Sequence, residues 1–168
     1  SLELEAGHRK EKIFSRKYSR PIFLAVAIAI FNQLSGINAV LYYARDIFEM
    51  AGAGNNSALL QSVATGGTMV IFTFIALLVI DRFGRKQLMI YGSIGYILSL
   101  ALTAWAFYTY GDEFTDAGNT LVLVGIMVFI ASHAFGQGTV IWVFISEVFP
   151  NRVRARGQAL GSFTHWFM

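Results

Sequence analysis

The chain contains no cysteine, which excludes disulfides and thiolate chemistry. It is also poor in charge. Asp, Glu, Lys and Arg make up 14% of the residues, where an ordinary soluble domain has about 25%. With 55% hydrophobic residues, a fold in water would lack the polar side chains to cover its apolar surface. The signatures of catalysis are missing as well: no Gly-x-Ser-x-Gly, no phosphate-cradling glycine loop and no His/Cys cluster at metal spacing. The chain therefore reads as a non-enzyme with no cofactor and no metal. No secretory signal is visible, because the first 20 residues are polar and the apolar run that follows is too long for a signal core. The alternating segments of about ten residues that a membrane barrel needs are absent too.

What the sequence has instead is long uncharged runs. Pro21–Ala44, Ser57–Ile80, Gln87–Tyr110 and Ala117–Ser146 contain no Asp, Glu, Lys or Arg. A helix of about 20 apolar residues crosses a hydrocarbon core of roughly 30 Å, so each run suffices, with length left over for tilt. The expectation is an all-α, polytopic membrane protein. Its spans lie at about 21–44, 57–80, 87–110 and 117–148, with a fifth, shorter stretch over 155–168. Residues 1–20 form a polar segment, in which Glu3–Lys12 reads as a charged, solvated helix before the bundle of 21–168. The connector 45–56 and the turn-rich 111–119 read as loops. Asn55-Asn56-Ser57 matches a glycosylation acceptor, a weak signal this close to a span.

The basic residues orient the chain. Arg9, Lys10, Lys12, Arg16, Lys17 and Arg20 precede the first span, Arg82, Arg85 and Lys86 follow the second, and Arg152, Arg154 and Arg156 follow the fourth. If every run spans, those twelve lie on one side and Arg45 alone on the other. The positive-inside rule then makes the N-terminus cytoplasmic. The same distribution explains the net charge of +3 without a nucleic-acid partner, since the charge is spread over three connectors.

Polar groups inside the runs carry the functional interest, because they are costly in hydrocarbon unless they face the bundle interior or water. The first run holds Asn32, Gln33, Ser35, Gly36 and Asn38, then Tyr42 and Tyr43. On a continuous helix Ser35, Asn38 and Tyr42 would share a face, and Gly36 can loosen the helix there. Amides offer both donors and acceptors, as a hydroxyl-rich ligand requires. They also serve as glue between helices, and composition alone leaves both readings open. In the connector Asp81-Arg82-Phe83-Gly84-Arg85-Lys86, Gly84 permits a tight turn. Asp81 stands at the helix end where the dipole disfavours an anion, so a cationic partner is expected. The fourth run carries Gly136, Gln137, Gly138 and Trp142, followed by Glu147 and Pro150. The glycines suggest close helix approach or a bend. Trp142 lies about 12 Å of helix before Pro150, too deep for an interfacial belt. Glu147 repeats the setting of Asp81, near Arg152 and Arg154, and Pro150 ends the span. His133, one turn before Gln137, reads as a hydrogen-bonded packing residue rather than a proton carrier.

Three segments in order resemble the sugar porter family of the major facilitator superfamily. Gln33-Leu34-Ser35-Gly36-Ile37-Asn38-Ala39-Val40-Leu41-Tyr42-Tyr43 is similar to its helix 7 signature, Asp81 to Lys86 to its loop 8–9 motif, and Gly138 to Trp142 with Glu147-Val148-Phe149-Pro150 and Arg154 to its helix 10 signature. The resemblance implies transmembrane helices 7–10 and the start of helix 11 of a twelve-helix fold. It implies a monosaccharide (hexose, pentose or similar polyol) moved by alternating access at the plasma membrane. The partners implied are the sugar, the lipid bilayer and the N-terminal six-helix half. It further implies that Asn32, Gln33, Asn38 and Trp142, with Gly138 and Trp166, line the sugar, and that Tyr42 and Tyr43 form an outer gate. Asp81, Arg82, Arg85, Glu147 and Arg154 would belong to a cytoplasmic charge network. The family's proton-coupling acid falls in helix 1, so symport and facilitated diffusion both stay open, and a transporter-like sensor that binds without transport is the alternative. The chain departs from the family pattern at Thr139 (usually Pro), Met69 (often Asn), His133 (often aromatic) and His165 (usually an amide).

Overall fold

The computed structural model describes residues 13–111 and 113–168. The charged stretch 3–12, with His8, lies outside the described residues. Among those described there are helices and no strand. After a 3-10 turn at Arg16–Tyr18, the α-helices are α1 (Ser19–Leu34), α2 (Ile37–Tyr42), α3 (Ala44–Met50), α4 (Asn55–Phe83), α5 (Arg85–Tyr110), α6 (Asp116–His133), α7 (Thr139–Val148) and α8 (Arg154–Phe167), with a π-helical turn at Ala134–Gly138 between α6 and α7. Among the described residues, four stretches are long and apolar enough to cross a membrane: Arg16–Tyr42, Asn55–Phe83, Arg85–Tyr110 and Asp116–Val148.

The first of these is not a continuous helix. Ser35 caps α1, its hydroxyl donating to the Asn32 carbonyl at 2.6 Å. Gly36 then takes φ 82°, ψ 9°, a left-handed conformation that glycine adopts without the Cβ clash other residues suffer. The chain restarts as α2, with Val40 N–H donating to the Gly36 carbonyl at 3.0 Å. Ser35 therefore shares no continuous helix with Asn38 and Tyr42, because Gly36 leaves the right-handed helical conformation between them.

Helix α3 falls where the sequence reads as a loop. Its seven residues carry Arg45, Asp46 and Glu49, which gives a polar appearance. Arg45 and Glu49 pair at 2.7 Å one turn apart, while Ala44, Phe48 and Ala51 are buried at i, i+4, i+7 spacing. A short amphipathic helix of this kind is stabilised by the surface it packs on rather than by its own propensity.

The described residues divide into two compact units, one of 13–35 with Ile141–Met168 and one within Gly36–Val140. In the first, α1 packs with α8. Ile13, Tyr18, Ala25, Ala29, Ile141, Ile145, Phe149 and Val153 form the core. Helix α7 ends at Val148, just before Phe149-Pro150, as a following proline dictates. In the second unit, α5 against α6 is the largest interface. Phe48, Val122, Ile126, Phe129 and Ile130 build its core, against which Met69 packs.

Helices α5 and the π-turn approach closely. A Cβ on Gly92 would stand 2.9 Å from Gly136 Cα, so two facing glycines bring backbone to backbone. Thr139 adapts to the widened turn by donating its hydroxyl to the Ala134 carbonyl, five residues back, at 2.7 Å. Gly84, φ 80°, makes the turn between α4 and α5. Large apolar side chains remain exposed along the long helices, among them Leu78, Ile97 and Tyr108. In water such a surface would be unfavourable, and in a bilayer it meets a solvent of its own polarity.

Candidate functional site

In the first unit three helices bring polar and aromatic side chains together. Asn32, on α1, is 3% exposed. Its amide nitrogen lies 3.4 Å from Nδ1 of His165 on α8. The imidazole meets Trp142 of α7 edge-on, with centroids 4.9 Å apart and planes at 68°. It meets Trp166 at 5.2 Å and 88°. Trp142 is 40% and Trp166 76% exposed, and Gln33 is half-buried. Of the expected site residues, Asn32, Trp142 and Trp166 are thus joined, and the joint is His165. Sequence reasoning did not place His165 in the site, although its departure from the family's amide was the available signal.

In the second unit Asn38, Tyr42 and Tyr43 are exposed along α2 and just past its end. Gly138 closes the π-turn, where a Cβ would come within 2.9 Å of the His133 ring. His133 is buried and hydrogen-bonded to the Tyr96 hydroxyl, and Tyr96 leans on Phe129 with centroids 4.9 Å apart. Gln137 donates to Ser93 Oγ at 2.8 Å. These contacts tie α5 to the α6 end and the π-turn, the role of interhelical polar pairs in membranes.

The charged residues sit at helix ends. Asp81 gains its cationic partner from Arg85, 3.3 Å away, across the glycine turn. Arg82 is exposed. In the first unit Glu147 is exposed near the end of α7, and Arg154 Nε donates to the Phe149 carbonyl at 3.4 Å, a favourable use of a cation at a helix C-terminus.

Amides, an imidazole and indole rings can bind a neutral hydroxylated solute: hydrogen bonds fix its hydroxyls and the rings cover its C–H faces. Polar groups of this kind on hydrocarbon-length helices fit a polytopic helical membrane protein. Residues 2–168 match the family described as "Sugar (and other) transporter", and the chain belongs to that family. It is 37% identical over 145 residues to the D-xylose-proton symporter of Escherichia coli, a match covering 86% of this chain and 28% of that protein. It is 38% identical over 145 residues to the glucose facilitated diffusion protein of Zymomonas mobilis, covering 86% of this chain and 29% of that one. Among solved structures it is similar to the major facilitator superfamily proton:xylose symporter XylE bound to 6-bromo-6-deoxy-D-glucose, with a TM-score of 0.76 and 36% identity over 87% of this chain and 30% of that one. The chain thus spans under a third of the length of these relatives, and its fold is a helical part of the major facilitator architecture.

Proposed function

We propose that this chain is the C-terminal-half segment of a carrier that moves a monosaccharide across the plasma membrane by alternating access. The sugar sits near the midplane, between this bundle and a six-helix N-terminal half, and rocking of the two halves exposes it to one side at a time. Residues 1–20 and the two later basic connectors face the cytoplasm. Gln33, Asn38 and Trp142 contact the sugar, Tyr42 and Tyr43 gate it from outside, and Asp81, Arg82, Arg85, Glu147 and Arg154 bias the bundle from the cytoplasmic end. What supports the reading most is the seating of Trp142, half open beside a histidine–amide pair on membrane-length helices, in a chain whose relatives are named as carriers of xylose and glucose.

The test is radiolabelled D-glucose and D-xylose uptake by the full-length transporter in proteoliposomes. Gln33→Ala and Asn38→Ala should each weaken sugar affinity by about two- to tenfold, the worth of one hydrogen bond. Unchanged uptake and affinity in both variants would end the binding assignment. Saturable sugar binding without uptake in the unaltered protein would make it a sensor instead.

A further inference from the structure

We propose that the basic end of the first unit and the apolar stripe beside it form a groove for one anionic phospholipid, its phosphate on the arginines and an acyl chain along α1. The inference goes beyond the carrier reading: it needs α1 to span a bilayer and nothing from the sugar site.

The charge is gathered by the fold. Residues 16–20 and 152–156 are far apart in the chain, but Ile13, Tyr18, Phe149 and Val153 share one core, which brings both basic segments to the same end of the unit. Arg16, Lys17, Arg20, Arg152, Arg154 and Arg156 meet one acid there among the described residues, Glu147. Arg16, Arg20 and Arg152 are exposed. Guanidinium groups hold phosphate through paired N–H donors, and cations beside a membrane span attract anionic headgroups.

The groove runs on from that end. Arg16 and Ser19 stand at its mouth, and Ile22, Phe23, Val26, Ala27, Ile30 and Phe31 line the rest of its volume of about 850 Å³. Those apolar residues recur at helical spacing and make one stripe, separate from the buried Ala25, Ala29 and Asn32. Phe23 and Phe31 are 70% and 71% exposed, and Ala27 lies one turn from each, so two rings flank a notch. From Ile22 to Phe31 the helix rises roughly 14 Å, close to the roughly 15 Å of hydrocarbon in one leaflet. An apolar stripe of that length, beginning one turn beyond a cationic mouth, matches a molecule with an anion at one end and a hydrocarbon chain at the other. A nucleic acid or an acidic peptide would use the arginines and leave the stripe uncovered. In the orientation proposed above the headgroup lies in the cytoplasmic leaflet, which is rich in anionic lipid.

Two measurements on the full-length transporter decide this. The first is native mass spectrometry with added phosphatidylglycerol or phosphatidylcholine. The unaltered protein should hold one phosphatidylglycerol about tenfold more tightly than phosphatidylcholine. Arg16→Gln together with Arg20→Gln should weaken that binding about 30-fold, the effect of two headgroup cations lost. Arg45→Gln, outside this unit, should leave it unchanged. Equal affinity for the two lipids, or an equal loss from Arg45→Gln, would overturn the groove. The second measurement needs no variant to fold. The transporter is placed in phosphatidylcholine vesicles doped with phosphatidylglycerol that carries a diazirine in one acyl chain, and the photo-adducts are mapped. They should concentrate on residues 22–31. Adducts spread evenly over all the spans would mean bulk lipid only, and an unlabelled stripe would mean that another helix of the full-length protein covers it. Either result refutes the proposal.

Discussion

The two units each hold a histidine beside an aromatic partner and a polar side chain, and they use it in opposite ways. His133 is 5% exposed and bonded to the Tyr96 hydroxyl. Its neighbourhood continues into Phe129, Gln137, Ser93 and the facing glycines Gly92 and Gly136. His165 is half-buried, and its aromatic neighbours Trp142 and Trp166 keep 40% and 76% of their surface exposed. Behind it lies an amide oxygen with no partner among the described residues. The residue type is the same, but the surroundings decide its use. A histidine closed in on all sides holds helices together, and one with an open edge and exposed indoles can still receive a solute.

Three substitutions in the full-length transporter break or sharpen this contrast. The largest effect should come from Gly92→Leu. A side chain there must displace the Gly136 backbone, which a Cβ alone would approach to 2.9 Å. Overpacking of this kind costs about 1–3 kcal/mol or more, seen as a lower melting temperature in detergent. A melting curve unchanged by the leucine would contradict the close approach. Next is His133→Leu, which removes the hydrogen bond to Tyr96. Stability should fall by about 1–2 kcal/mol, and the affinity of the remaining folded protein for sugar should stay within about twofold. Strong loss of affinity at unaltered stability would move His133 into the binding site and dissolve the contrast. The smallest effect on stability should come from Trp142→Ala, since that residue is already 40% exposed. Here sugar KM should rise by about tenfold, the scale of a lost aromatic contact, while the melting temperature barely moves. A large drop in melting temperature with KM intact would show Trp142 to be a packing residue.

Much of the fold was legible because lipid imposes a simple rule. Every backbone polar group must be satisfied within the helix, so charge-free runs announce spans, and the four long apolar helical stretches overlap the four runs read from the sequence. Pro150 marked the end of α7, and the acid at Asp81 announced its partner, found in Arg85. The misses have physical reasons too. Helix α3 carries three charges in seven residues and owes its formation to the burial of Phe48, which local composition does not reveal. The π-turn at Ala134–Gly138 was read only as a bend or close approach. Its partners lie partly on another helix, at Gly92, and partly in the Thr139 hydroxyl, and neither contact can be read from the run itself.

For the site, the sequence by itself determined which chemistry is present: amides, indoles and imidazoles within hydrocarbon-length runs, and no cysteine or catalytic constellation. Those are properties of composition and spacing, and lipid leaves them few structural outcomes. Tertiary structure alone decided which of these groups are closed and which are open. Asn32 and His165 are 133 residues apart in the chain, and no periodicity within either helix states that the amide of one ends against the ring of the other. That contact depends on how α1 packs with α8, and packing is a property of the two surfaces together rather than of either sequence.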